Sequence, residues 1–291
     1  MGMTLEQLRI FVAVAEREHI THAAQALNLT PSSVSHAVAT LESHLRIKLF
    51  SRIGRTIELT RAGRIFHVEA AAVLARAEAA RDRLLDFTML RTGTLHLHAS
   101  QTIAAYWLPK RLNLFRAQYP DITLTISARN TAEVCAAIRD GIVGLGLIEG
   151  ESTEPTLTCQ TVAADRLLLA VSPRHPWANR TPAPHELDTS EWVLRETGSG
   201  TRSAFVQALH AIGVDAANLP IAMELPSNEA VASAVETGDA ATVLSASVLA
   251  GRLEAGLLHH VPFPLPERPF QLIRHPEREL SPVETAFLTI L

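Results

Sequence analysis

Cysteine is nearly missing from this sequence, with Cys135 and Cys159 its two thiols. Two cysteines build neither a disulfide framework nor a metal-ligand cluster. Both are expected to be partly buried structural thiols, one in a helix pattern and one beside a strand pattern. Long apolar runs are lacking as well. The uncharged stretch at residues 240–251 falls well short of the roughly 20 apolar residues that span a bilayer. Glu6, Arg9, Glu16 and Arg17 interrupt the first turns in a way that a signal peptide would not tolerate. A cytoplasmic protein without a membrane partner is the expectation. Catalytic signatures are missing too: there is no phosphate-binding loop with its lysine, no H-E-x-x-H and no G-x-S-x-G, and "GSGTR" lacks the third glycine and acidic partner of a dinucleotide fingerprint. The 13 histidines are scattered rather than spaced as ligands. These absences speak against an enzyme, a metal site and a resident cofactor.

What is present suits a folded chain. At 291 residues, 47% hydrophobic and 19% charged, it has room for about two domains and a full core. The net charge of -4 hides an asymmetry. Residues 1–64 carry eight Lys and Arg against five Asp and Glu, and the remainder 18 against 25. A basic front on an acidic body hints at an anionic partner for the front alone.

Leu5, Leu8, Phe11, Val12 and Ala15 follow helical spacing. Thr21 is a candidate N-cap for a second, short helix through Leu27. Thr30 caps a third, with Pro31 at its first position, where a missing N–H costs nothing, and Val34, Val38, Leu41 and Leu45 as its buried stripe. Leu49–Arg52 and Thr56–Leu59 around Ile53-Gly54-Arg55 read as a two-stranded wing. Thr60 then caps a proline-free, alanine-rich helix over 61–90, about 45 Å long at 1.5 Å per residue. Its stripe of Ile65, Val68, Ala72, Ala75 and Ala79 needs a partner helix, most simply a second copy. From Thr94 on, short apolar runs ("TLHLHAS", "ITLTISA", "VGLGLIE", "RLLLAVS", "EWVLRE", "ATVLSA", "FQLIRH") alternate with helical ones, which implies parallel sheet built from βαβ units in two similar lobes.

The third helix would turn Ser32, Ser33, Ser35, His36, Ala39 and Thr40 outward. Small polar side chains of this kind fit a DNA major groove, where Ser and Thr bond base edges or phosphates and the backbone can approach closely. Arg52 and Arg55 on the wing could reach phosphates or the minor groove. A helical hairpin with a solvated serine face has the same pattern.

The dense pattern over residues 5–63, including Ala23-Ala24, Leu27, Pro31, Val34-Ser35, Leu41-Glu42, Leu49-Phe50, Arg52 and Leu59-Thr60, resembles the winged helix-turn-helix of the LysR-type transcriptional regulators. The long helix and the two α/β lobes follow in that family's order. The resemblance implies an α/β fold class: an all-α-type N-terminal winged helix-turn-helix (1–60), a linker and dimerisation helix (61–92), and a C-terminal two-lobed, periplasmic-binding-protein-like effector domain (93–291). Lobe I would take about 93–162 and 266–291, lobe II about 163–265. Implied partners are double-stranded promoter DNA, a small effector, further copies of the chain in a dimer that assembles to a homotetramer, and RNA polymerase. The DNA-reading positions are then Ser32, Ser33, Ser35, His36 and Thr40, with Arg52 and Arg55. Where many relatives follow Val34-Ser35 with long polar or basic residues, this chain has His36, Ala37, Ala39 and Thr40. That shifts sequence readout toward the wing and DNA shape.

In the effector domain, Ser100, Gln101 and Thr102 open one helix, Gly198, Ser199, Gly200 and Thr201 a second, Ser227 and Asn228 a third, and Asn130 and Thr131 a fourth. Each hydroxyl taken singly is an ordinary N-cap. Converging, as the family fold implies, they make a site for a small anion. "RETGSGTR" and "GLIEG" resemble the subgroup regulating sulfur assimilation and carbon fixation, which suggests a sulfur oxyanion or a phosphorylated metabolite. Glu149 complicates this. A carboxylate repels an anion unless it is protonated, paired with Arg202 or placed at the rim; equally, it could be a surface residue at a strand end. An enzyme, whose signature motifs are missing, and a plain solute-binding protein with the same lobes, which would have no use for the first 60 residues, are the competing readings.

Overall fold

The computed structural model describes residues 2–53, 56–86, 93–152 and 154–291, with the side chains at 52, 53, 56 and 82–86 also outside the description. Two compact units divide the chain, Met1–Leu84 and Leu85–Leu291.

The first unit begins with α1 (Leu5–Arg17), opened by a capping box in which Thr4 Oγ1 accepts from Gln7 N and Gln7 Oε1 accepts from Thr4 N. Helix α2 (Ile20–Ala26) starts two residues earlier than a Thr21 cap would have it: His19 is the cap, its ring nitrogen accepting from His22 N, and the two rings stack at 4.0 Å. Thr21 therefore lies inside the helix. Helix α3 (Pro31–Leu45) has the expected cap, Thr30 Oγ1 accepting from Ser33 N at 3.2 Å. Its Val34, Val38 and Leu41 are buried against α1 and α2. Strands β1 (Phe50–Ile53) and β2 (Thr56–Leu59) pair antiparallel, Phe50 opposite Leu59. The turn residues Gly54 and Arg55 lie outside the described residues.

Glu42 fastens this unit. Its buried carboxylate accepts from Leu49 N, Phe50 N and Lys48 Nζ, joining the end of α3 to the start of the hairpin. Burial alone would raise its pKa, but Lys48 and the two amides outweigh that and hold it below the ordinary value. Helix α4 (Arg61–Asp86) follows, with Thr60 Oγ1 accepting from Gly63 N and donating to Lys48 O. Gly63 permits a close approach, since a Cβ there would lie 2.0 Å from Leu49 O. Phe66, Ala70 and Leu74 pack under Phe11 and Leu41, whereas Ile65 and Val68 are 62% and 67% exposed. Among the described residues Ile65 and Val68 are thus left uncovered, while Ala72, Ala75 and Ala79 of the same stripe are half-buried. Residues 87–90, expected to continue this helix, lie outside the described residues.

The second unit forms a sheet in the order β4-β3-β5-β11-β6-β9-β7-β8, with β10 added to β6. One half is made by β3 (Gly93–Ser100), α5 (Leu108–Gln118), β4 (Ile122–Arg129), α6 (Thr131–Arg139) and β5 (Leu145–Glu149). The other is made by β7 (Trp192–Arg195), α7 (Gly200–Ala211), β8 (Ile221–Leu225), α8 (Asn228–Thr237), β9 (Ala241–Ser245), α9 (Ala246–Glu254) and β10 (His259–Val261). Within each half the βαβ strands run parallel. Not all of the sheet is parallel, however. The long β6 (Thr158–Val171) and β11 (Glu267–Arg274) arrive without an intervening helix, pair with each other antiparallel and tie the halves together. Helix α10 (Pro282–Leu288) closes the first half with Phe287 under Phe115.

Apolar burial supports both halves, around Leu97, Phe115 and Phe287 in one and Trp192, Phe205 and Val243 in the other. A fully buried large side chain of this sort contributes about 1.5–3 kcal/mol. Cys135 is buried in α6, where burial pushes its thiol pKa up, while Cys159 is exposed on β6 rather than partly buried. The latter sits at the start of β6, where residues 158–161 are all exposed. Among the described residues no helix is long and apolar enough to cross a membrane.

Candidate functional site

Two surfaces need separate treatment, one in each unit. In the first, the face of α3 opposite Val34, Val38 and Leu41 carries exposed Ser32, Ser33, His36 and Ala39, flanked by half-buried Ser35 and Thr40. This helical phase follows from the stripe: burying i, i+4 and i+7 leaves the serines outward. Thr30 Oγ1 lies 2.9 Å from Ser32 Oγ and 2.8 Å from Ser33 Oγ, so the three hydroxyls form a small polar cluster over the first turn. The positive end of the helix dipole points the same way. Arg52 sits in β1 opposite Ile57, with its side chain outside the described residues, as is all of Arg55.

In the second unit, residues from both halves meet around Glu149, the last residue of β5. This is not a surface carboxylate, being 2% exposed. Oε1 accepts from Thr102 N at 2.9 Å; Oε2 accepts from Thr201 Oγ1 at 3.0 Å and Arg268 Nη1 at 2.6 Å. Arg202, pairing with which was one of the alternatives read from sequence, turns to Glu224 and to Arg195 O. The reason lies in the helical phase of α7, which turns Thr201 toward Glu149 and leaves Arg202, one residue on, facing β8. Arg268 continues the chain of charge with a fork onto Asp165 Oδ2, at 2.9 Å from Nε and 2.6 Å from Nη2, and Ser245 Oγ donates to Asp165 Oδ1. Arg268 and Asp165 are register partners across the β6–β11 ladder. Burial would raise the Glu149 pKa, yet Arg268, with Ser100, Thr102 and Thr201, outweighs it and holds the group below the ordinary value.

A second strand of contacts crosses nearby. Asn228, at the start of α8, donates through Nδ2 to Thr102 Oγ1 at 3.1 Å and through its backbone to Gln101 Oε1 at 3.3 Å. Gln101 Nε2 donates to Pro226 O, and Arg195 Nη1 donates to Asn228 Oδ1 at 2.6 Å while its other nitrogens grip Glu196. Ser100 Oγ is fully buried and makes no hydrogen bond of acceptable geometry, although it lies close enough to Glu149 to bias that group's titration.

Thus Ser100, Gln101, Thr102, Glu149, Thr201 and Asn228 converge. Other expected positions play different parts. Asn130 is occupied in a capping box with Glu133, and Ser227 Oγ caps α8 by accepting from Ala230 N. Thr131 Oγ1 donates to Glu149 O at 3.4 Å. Ser199 is buried without making a cap bond. Gly198, at φ 93°, offers its carbonyl to Ala132 N, and Gly200 lets α7 press onto Glu149, where a Cβ would come 2.3 Å from Glu149 O. Arg268, Asp165, Ser245 and Arg195 were not among the residues singled out from sequence. For Asp165 and Arg268 the signal is charge inside otherwise apolar strands, "ADRLLLAV" and "ERPFQLIR", which acquires meaning only once β6 and β11 are paired. A hollow of about 230 Å³ opens between α6 and α7 and is lined in part by Thr131, Glu149, Gly198 and Gly200, four of the residues expected at the site. Glu151 and Glu154 line it, giving it an acidic wall.

A helix-turn-helix with a free polar recognition face, followed by a two-halved α/β unit with a buried polar junction, defines a DNA-binding regulator with a small-molecule domain. Comparison with known proteins gives the family. Residues 5–64 match the model for the bacterial regulatory helix-turn-helix protein, lysR family, and residues 90–291 the LysR substrate binding domain. A relative described as "Probable RuBisCO transcriptional regulator", from Cyanidioschyzon merolae, is 35% identical over 265 residues, 90% of this chain and 88% of its own. The structure of full-length CbnR complexed with its target DNA superposes with a TM-score of 0.71 at 23% identity, covering 99% of this chain and 98% of that one. The Synechocystis PCC6803 CcmR regulatory domain in complex with 2-PG gives a TM-score of 0.61 at 25% identity over 67% of this chain and 94% of that one. The chain belongs to the LysR family of transcriptional regulators, whose members act by binding rather than by catalysis.

Proposed function

We propose that the junction around Ser100, Thr102, Thr201 and Asn228 binds a small oxyanion and that its occupancy alters how the chain holds promoter DNA. The observation that carries this reading is Ser100 Oγ, buried beside Glu149 without a hydrogen bond of acceptable geometry, in a junction to which the start of α7 gives Thr201 and the start of α8 gives Asn228. An orphaned buried hydroxyl costs about 1–3 kcal/mol, a cost that a guest oxygen removes. The relative crystallised with 2-PG supports a small-molecule role for this kind of domain. Gln101, Thr131, Asn130, Gly198, Ser199, Gly200 and Ser227 shape the surroundings of that site.

On the DNA side, Ser32, Ser33, Ser35, His36 and Thr40 read the major groove, with Arg52 and Arg55 on the wing. The uncovered Ile65 and Val68 on α4 pair two chains, and dimers associate to a homotetramer that spreads four DNA-binding units along one operator. RNA polymerase is the downstream partner. Residues 1–60, 61–92 and 93–291 divide these tasks. Coupling is a free energy between the effector junction and the DNA-bound geometry, with no covalent step.

Fluorescence anisotropy of a labelled dyad-symmetric duplex with the full chain, titrated with and without sulfur oxyanions and phosphorylated acids, tests both parts. Salt-dependent retention of the duplex and an oxyanion-dependent shift in affinity are expected. A shift produced by neutral or aromatic compounds alone would overturn the anionic effector.

A further inference from the structure

Helix α2 is closed at its start by a group that no other α-helix uses among the described residues. Thr30, Asn130 and Ser227 cap α3, α6 and α8 with a side-chain oxygen. In α2 the acceptor is the His19 ring: Nδ1 accepts from His22 N at 3.4 Å, and the ring lies on that of His22 with centroids 4.0 Å apart and planes 16° from parallel. Accepting requires a bare lone pair on Nδ1, so the neutral imidazole alone can do it. Hydroxyl and amide caps are indifferent to pH between 5 and 8, whereas histidine is the side chain whose charge changes there.

His175 provides a contrast inside the same chain. It too accepts through Nδ1, from Trp177 N, but it is 5% exposed, Ser190 Oγ holds its Nε2, and burial pushes its pKa down. That ring resists a proton. His19 and His22 are both exposed. The charged groups on the elements packed around α2 are Glu16, Arg17 and Glu18 at the end of α1, His36 and Glu42 on α3, and Lys48 ahead of the hairpin. Glu16 pairs with Arg17 and Glu42 with Lys48. Glu18, next to His19 in the chain, has no ion pair among the described residues and adds negative charge beside the ring.

A proton on His19 has three effects, all unfavourable to α2. Nδ1 becomes a donor set against the His22 N–H, a positive charge sits at the positive end of the helix dipole, and a charged His22 would be repelled across the stack. One turn on, Ala23 and Ala24 are buried in the cluster that also holds Val34 and Val38 of α3. The first turn of α2 thus steadies the helix that presents the serine face.

We propose that His19 is a positioning residue that makes DNA reading proton-sensitive: α2 is capped when the ring is neutral and loosened when it is charged. Since only the neutral form caps, the contribution is whole near pH 8 and is lost as pH falls through the imidazole range. Amide hydrogen exchange on the full-length wild type, corrected for the chemical exchange rate, tests this without an operator. Between pH 7.5 and 5.5, protection over residues 20–27 should fall about threefold or more relative to residues 131–139, whose cap is the amide of Asn130. Duplex affinity supplies a second readout, by anisotropy at constant ionic strength for the wild type and for His19→Ser. Serine caps without titrating, and both proteins keep His22 and His36, so any attraction of those rings for phosphate cancels in the ratio. The wild type should lose about threefold or more against H19S on going to pH 5.5. Equal protection of α2 at the two pH values, or a wild-type to H19S ratio that does not move with pH, overturns the inference. The exchange comparison stands whether or not the variant folds.

Discussion

Replacing Arg268 with leucine tests whether the buried cluster is held by charge. The substitution removes four hydrogen bonds, two to Asp165 and one each to Glu149 and Thr201. Leucine restores apolar volume but leaves two carboxylates, 2% and 8% exposed, with no cation. Breaking a buried pair from one side costs about 3–5 kcal/mol, and for a unit of this size that is a fall in melting temperature on the order of 10 °C. The pH dependence sharpens the test. In the wild type the Glu149 pKa is held below the ordinary 4.5, so its stabilisation is present above that value and disappears as pH falls through the lower, folded-state pKa. Without Arg268 the dominant influence is burial, which raises the folded-state pKa above the unfolded one. R268L should therefore lose stability as pH rises from about 5 to 8 and recover on acidification, opposite in sign to the wild-type contribution. Trp107, Trp177 and Trp192 all belong to the second unit, so urea unfolding followed by tryptophan fluorescence at pH 5.5 and 7.5 reports on it selectively. A loss below about 1 kcal/mol at pH 7.5, or no recovery at the lower pH, would refute the argument that this guanidinium compensates both acids.

Further expectations follow from other contacts. His36→Glu places a carboxylate on the exposed face of α3; duplex affinity measured by anisotropy should fall by tenfold or more, at a stability change within about 0.5 kcal/mol by circular dichroism. Gly200→Ala drives a methyl group to 2.3 Å from Glu149 O and 2.5 Å from Thr131 Oγ1, so the start of α7 must move. A loss of about 1–3 kcal/mol is expected in thermal melts, and wild-type stability would show that α7 does not press on Glu149 in solution. Val68→Glu, at an exposed apolar position on α4, should shift light-scattering mass toward the monomer at micromolar concentration, whereas an unchanged mass would place the chain–chain contact elsewhere.

How much of this was legible in the sequence depended on whether the information was local. Thr30-Pro31 and the Val34, Val38, Leu41 stripe announce α3 and its outward face, because cap chemistry and helical period lie within 15 residues of one another. The start of α2 was not legible, since Thr21 is the better cap by type while His19 takes the role through a ring nitrogen. Strand positions in the effector unit follow from apolar runs, but direction does not: nothing local in "RLLLAVS" or "FQLIRH" tells that β6 and β11 pair antiparallel with each other. Hence the helix-opening residues around Ser100, Thr201 and Asn228 could be named, while Arg268 and Asp165, whose meaning is set by a partner 103 residues away, could not. Glu149 was visible as an anomaly, but its partner Arg268 was not among the alternatives for the same reason.

The order in which the cluster is made adds a demand on biosynthesis. Glu149 leaves the ribosome 119 residues ahead of Arg268, and Asp165 leaves 103 ahead. Throughout that interval the emerging chain holds two acids destined for burial without the guanidinium that serves both. Both must stay hydrated until β11 is synthesised, which keeps the domain open and within reach of chaperones and proteases until then.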